Sequence, residues 1–202
     1  MGRLLKPLKK LPNILTDIRN SLNKDRFGSV NLYCQDESRF GLITKQRRVL
    51  TLRGVKPVGK YKHSYKYIWL WGSFSPITGE AHYMISDGVS KNAFIAYLKD
   101  LSLYNPRELK ILIIDNAAFH STKNVELPEN IILVPIPPYC PELNPAEKMW
   151  QWFKSKIAMK IHESLDNLED RLIDTIKNTD NQKVKSITSY QYLVNNYYGI
   201  FN

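Results

Sequence analysis

The sequence predicts an α/β domain: a mixed five-stranded sheet flanked by helices. Three observations carry that prediction. Five short runs are apolar or alternate in polarity with a period of two, as strands do. The second and third are joined by the five-residue turn SPITG, which makes them a hairpin. The fourth, LKILIID, is apolar almost throughout, the pattern of a strand covered on both faces, and helical periodicities lie before it and after the fifth.

Taken in order, residues 1–28 are basic and weakly helical, and Leu15, Ile18 and Leu22 share one face of a lead-in helix. Ser29 to Asp36 reads as a strand with Val30, Leu32, Cys34 and Asp36 on one face. A carboxylate closing a buried face needs a partner, because a lone charge there is costly. KYIWLWGSF and EAHYMIS are the hairpin strands. KNAFIAYLKDL sets Phe94, Ile95, Leu98 and Leu101 at helical spacing. Leu109 to Asp115 is the covered central strand. A short helix is expected over residues 120–126, then the strand NIILVPI and the loop PPYCPELNP. A helix from Pro145 to Ile161 turns Trp150, Phe153, Ile157 and Ile161 inward, and a last amphipathic helix covers Leu165 to Lys177. The domain is expected over residues 29–180, with 181–202 as a C-terminal tail. A meander extended by βα units has this order, which matches the ribonuclease H-like fold. In such a sheet Asp36 and Asp115 end neighbouring central strands, and the helix bearing Glu147 brings its acid beside them.

A chain of 202 residues is long enough for one well-cored domain. Its formal net charge of +10 and pI near 9.5 favour a polyanionic partner, nucleic acid ahead of an anionic membrane. Cys34 and Cys140 make no CxxC, so neither a zinc module nor a disulfide framework is indicated. No apolar run approaches ~18 residues, and no signal-like segment follows MGRLLKPLKK. The expectation is a soluble, cytoplasmic, nucleoid-associated protein without a membrane partner. From Ser38 to Phe74 there is no Asp or Glu, while basic residues recur with Tyr61, Tyr65 and Tyr67 among them. Arg47, Arg48, Arg53, Lys56, Lys60 and Lys62 are the candidate phosphate contacts, with the tyrosines available for stacking. A solvated face is the ordinary meaning of a charge run; the missing acids favour nucleic acid.

The chemistry rests on three carboxylates. Asp115 follows a buried strand directly, where α/β sheets gather ligands, although Asp115-Asn116 also reads as the start of a turn. Glu37, adjacent to Asp36, is an alternative working acid. Strand alternation favours Asp36, which shares the inward face with Cys34 while Glu37 points away, and an ordinary pairing with Arg39 is the bland alternative. Asn144-Pro-Ala-Glu147 fits a capping box, which explains Glu147 when it is read alone. His120 stands where it can touch substrate or support the acids from behind, with a helix-start or packing histidine as an equal alternative, and Asn116 is a second candidate support. His120 is not expected to be a ligand, because hard Mg²⁺ prefers oxygen. Three acids brought together in a basic chain call for counter-charge, which divalent metals acting on a phosphodiester supply.

YCQDESRFG, IDNAAFH and PPYCPELNPAEKMW together resemble the DDE transposases of the IS630–Tc1–mariner superfamily, on the IS630 side, over about residues 30–160. The resemblance implies a catalytic domain with Asp36, Asp115 and Glu147 as a triad binding two Mg²⁺ or Mn²⁺ ions. It implies DNA as partner, namely transposon ends and a TA target, cut-and-paste chemistry, and a homodimer on DNA. The spacing from Asp115 to Glu147 is slightly short for the group, which a shorter loop absorbs. About 28 residues precede the first strand, too few for the helix-turn-helix region that family members carry. The expectations are therefore a catalytic half completed by a separately encoded helix-turn-helix subunit, a truncated form, or a catalytically inactive DNA-binding remnant. A ribonuclease H-like nuclease acting on other nucleic acids shares the same acids and stays open.

Overall fold

Two adjacent strands with no solvent-facing side set the architecture. In the computed structural model, which describes residues 10–43, 52–55, 64–117, 120, 126–137, 140–158 and 160–201, these are β1 (Ser29–Gly41) and β4 (Glu108–Ile114). With β2 (Tyr67–Phe74), β3 (Ala81–Ser86) and β5 (Ile131–Pro135) they form one sheet in the order β3-β2-β1-β4-β5. β2 runs antiparallel to β1 and β3, while β1, β4 and β5 are parallel. The expected mixed five-stranded sheet is present.

Strand alternation divides the core in two. Leu32, Cys34, Ile111 and Ile113 face a large apolar cluster, and Tyr33, Trp71, Leu112 and Ile114 face a smaller one. The helix α2 (Lys91–Leu103) covers the smaller side with Phe94, Tyr97, Leu98 and Leu101. The larger side is covered by α1 (Leu11–Ser21), α3 (Ala146–Ile157), α4 (Leu165–Lys177), α5 (Asn181–Thr188) and α6 (Gln191–Phe201). Tyr97 takes the inward place expected for Ile95.

Three boundaries differ from expectation, each for a physical reason. β1 runs five residues past Asp36, because its antiparallel ladder with β2 continues to Gly41 opposite Tyr67; Asp36 lies within the strand rather than at its end. α3 stops at Ile157, so Ile161 falls beyond the helix and is 38% exposed. Residues 181–201 are no tail: α5 and α6 bury Val184, Leu193 and Tyr197 in the larger cluster, and the Tyr197 hydroxyl donates to the Val30 carbonyl at 2.6 Å. α5 also abuts the β2–β3 hairpin turn at Gly79 (φ +81°), where an added Cβ would strike the Asn181 carbonyl. The helix expected over 120–126 falls mostly outside the described residues. No described helix is long and apolar enough to cross a membrane.

Candidate active site

The site forms where β1 and β4 part. Their parallel ladder ends with Cys34 opposite Ile113; carried on two residues, the same register sets Asp36 beside Asp115. α3 begins at this level because Asn144 ties it there. Its side-chain amide donates to the Gln35 carbonyl at 2.8 Å, and its Oδ1 accepts from the Ala146 backbone N–H at 3.1 Å. One buried residue thus bonds the first turn, although Pro145 directly precedes the helix, and fastens it to β1 beside Asp36. Among the described residues no return bond from Glu147 closes the expected capping box, and Glu147 sits exposed in the first turn of α3, close enough for its charge to act on Asp36.

The Asp36 carboxylate is largely, not fully, buried. Its Oδ2 accepts from the Trp150 indole Nε1–H at 2.8 Å, and the Glu37 backbone N–H also donates to it. Burial, then repulsion from Glu37 and Glu147, raise its pKa from 3.8 to about 8 against the pull of those donors. No pairing with Arg39 forms; the Arg39 guanidinium lies 5.0 Å over the Tyr67 ring instead.

Asp115 stands one residue past β4 and is half-exposed. Its Oδ1 accepts from the Ala117 backbone N–H at 2.9 Å, the turn that the Asp-Asn pair foretold, and lies 2.7 Å from His120 Nδ1. The opposite ring nitrogen, Nε2, lies 3.0 Å from Glu37 Oε1. An imidazolium has a donor for each carboxylate, and the neutral ring does not. Burial opposes that charge, but the hydrogen bonds and charges of Asp115 and Glu37 outweigh it and lift the His120 pKa to about 9. The His120 hydrogen bond in turn holds the Asp115 carboxyl below its ordinary value. The histidine ring packs on Phe94 of α2, 4.5 Å between centroids, and the Asn116 amide donates to the Ile136 carbonyl.

Sequence reasoning placed Asp36, Asp115, Glu147, Asn116 and His120 in one neighbourhood; the structure couples Asp36 to Glu147 and Glu37, and Asp115 to His120. The sequence offered Glu37 as an alternative working acid to Asp36 but not its pairing with His120. Strand alternation turned Glu37 away from Asp36 correctly, but the other face is also covered, and the Glu37 side chain is only 5% exposed. Gln35 donates to the same Glu37 oxygen at 2.8 Å. The signal for a covered second face was there in Tyr33 and Trp71. Trp150 was read as core alone, without its donor role.

The donor set suits a hard divalent cation in one respect and falls short in another. Asp36 and Glu147 repel one another, and a cation between them would relieve that strain. Yet among the described residues no group of three or more His, Cys, Asp or Glu side chains is gathered to hold an ion. The Asp115 Oδ1 is engaged by His120.

Of the basic candidates, Arg53 is exposed, while Arg47, Arg48, Lys56, Lys60 and Lys62 lie outside the described residues. Where the tract rejoins β2, Tyr65 is 76% exposed and Tyr67 43%.

A family model described as DDE superfamily endonuclease matches residues 31–169. An uncharacterized protein, y4pE/y4sA, of Sinorhizobium fredii (strain NBRC 101917 / NGR234) is 37% identical over 59 residues, 29% of this chain and 44% of that protein. Among solved structures, the Mos1 strand transfer complex matches with a TM-score of 0.64 at 15% identity, covering 92% of this chain and 57% of that one. The Mos1 transposase paired-end complex with the left transposon end gives 0.63 at 15%, covering 93% and 59%. The Mos1 mariner paired-end complex with Mn gives 0.59 at 15%, again covering 93% and 59%. The chain therefore spans under half of that curated relative and under three fifths of the Mos1 chains. At this identity the likeness shows the fold, which is ribonuclease H-like.

Proposed function

Since the chain belongs to the DDE superfamily endonucleases, we propose that it is the catalytic domain of a DNA transposase of the Tc1/mariner-like group, cutting transposon ends and joining them to target DNA. The observation that carries this reading is Asp36, a largely buried acid with its pKa raised, set beside Glu147 by the Asn144 tie.

Asp36 and Glu147, with Asp115 as the third acid, would hold divalent cations, Mg²⁺ or Mn²⁺ and two in number. Bound there, such ions polarise the scissile phosphodiester and activate water or a DNA 3′-hydroxyl. The chain's own residues supply position and charge control. Asn144 fixes where the Glu147 helix starts, Trp150 fixes Asp36, and His120 holds a proton between Glu37 and Asp115. Arg53 and Lys66, both exposed, suit the phosphate backbone. DNA is the partner this reading requires. A homodimer on DNA, a TA target and a separately encoded helix-turn-helix subunit are further parts of the proposal, and the cytoplasm its place of action.

Asp115→Asn is expected to abolish Mg²⁺-dependent nicking of DNA while leaving DNA binding largely intact, as read by gel nicking and by fluorescence anisotropy. Nicking retained in that variant would sink the assignment of the acids. One observation favours a second reading, an inactive DNA-binding remnant: among the described residues the acids are not gathered into a ligand set. A wild-type chain that binds DNA but neither binds Mn²⁺ nor nicks would establish it.

A further inference from the structure

We propose that Trp150 is a positioning residue for Asp36, and that position 72 is glycine to admit its indole. The inference rests on the proposed metal-dependent reading and deepens it.

Trp150 is buried in an aromatic nest, with Phe40, Phe74 and Phe153 at centroid distances of 6.4, 5.2 and 6.1 Å. Packing alone explains an aromatic ring there. It does not explain why the ring's one polar atom ends 2.8 Å from a carboxylate that also faces Glu37 and Glu147. An acid repelled on two sides would turn away unless something held it. A lysine or arginine in that role would neutralise Asp36 and compete with a metal ion. The indole N–H is a neutral donor: it fixes the carboxylate and leaves its negative charge for a cation.

Two features fit that role. Trp150 lies three residues after Glu147 on α3, so one helix face carries both the acid opposite Asp36 and the donor that holds it. Across the sheet, Gly72 stands directly opposite Asp36 in the β1–β2 ladder. A Cβ there would come 2.7 Å from Trp150 Cη2 and 2.5 Å from Phe74 Cζ, closer than real contacts allow. Any larger residue at 72 crowds both the Phe74 ring and the indole whose N–H holds Asp36.

The test uses the full chain. The ¹⁵N indole resonance of Trp150, assigned with Trp150→Phe or by elimination with the other tryptophans replaced, is followed while Mg²⁺ is added. Mn²⁺ affinity is read by electron paramagnetic resonance, nicking on a supercoiled plasmid, and folding by thermal melts. The indole resonance is expected to shift and saturate with Mg²⁺. W150F should weaken Mn²⁺ binding roughly 10–100-fold, the usual effect of removing a group that orients a metal ligand. Should W150F fail to fold, Gly72→Ala, which keeps the N–H but displaces the ring, must show the same loss. A wild-type chain that binds Mn²⁺ and nicks DNA, combined with wild-type affinity in folded W150F or G72A, overturns the positioning role and spares the functional reading. A resonance that ignores Mg²⁺ in that chain overturns it equally. A wild-type chain that neither binds Mn²⁺ nor nicks defeats the functional reading, and the inference falls with it.

Discussion

Replacing Asp36 by asparagine is expected to stabilise the metal-free fold while removing catalysis. Burial and the neighbouring Glu37 and Glu147 lift the Asp36 pKa from 3.8 to about 8. A folded-state pKa above the unfolded one means that folding favours the protonated acid. That stabilisation is full below about pH 4 and is lost as pH rises through about 8. Over that window stability falls by about 1.4 kcal/mol per pH unit, roughly 5–6 kcal/mol in all as an upper bound. Local relaxation and water entry reduce this, and about 2–4 kcal/mol is the working expectation. Asparagine keeps the shape and an oxygen for the Trp150 N–H but has no charge to bury. Urea unfolding in EDTA at pH 5, 7 and 8.5 should therefore show an advantage for D36N that grows with pH. His120 and Asp115 are common to both proteins, so their titrations cancel in the difference. Mg²⁺ should then restore stability to the wild type by ligand linkage and do little for D36N. A D36N protein less stable than wild type at pH 8.5, or a difference that ignores pH, would refute the reasoning.

Two further predictions come from the site's surroundings. His120→Ala leaves Glu37 buried without its cationic partner and should destabilise the fold by about 3–5 kcal/mol near pH 6. The His120 pKa is raised to about 9, so its stabilisation is full below about 6.5 and lost as pH rises through 9. The H120A deficit should accordingly shrink between pH 6 and pH 10 in denaturant titrations, and a constant deficit would count against the bridge. Gly79→Ala combines a backbone of φ +81° with a clash on the Asn181 carbonyl, so it should lower stability by about 2 kcal/mol or more. Hydrogen exchange should localise that loss to α5 and α6 rather than the sheet, and uniform loss would mean that this contact is not what holds the two helices.

The sequence showed the frame better than the state of its acids. β4 was legible because an unbroken apolar run has one explanation in a sheet covered on both sides, and α4 kept its expected bounds because its apolar stripe is regular and capped by Ser164. α5 escaped notice because only Val184 and Thr188 of its eight residues are buried, too few to show a period. Strand alternation put Asp36 and Glu37 on opposite faces, which is correct, but it carried the tacit assumption that the second face is solvent. α2 covers that face, and His120 reaches over the strand end to join Glu37 to Asp115. No local pattern reports such a bridge, because its two carboxylates lie on different strands. The consequence is chemical. Side-chain type made Asp36 and Asp115 equivalent acids, whereas the fold gives them opposite tendencies. Burial beside two like charges pushes the Asp36 pKa up against the pull of the Trp150 N–H, whereas the His120 hydrogen bond draws that of Asp115 down. What distinguishes the two acids is burial beside like charges at Asp36 and a hydrogen bond from His120 at Asp115, and both are fixed by tertiary contacts.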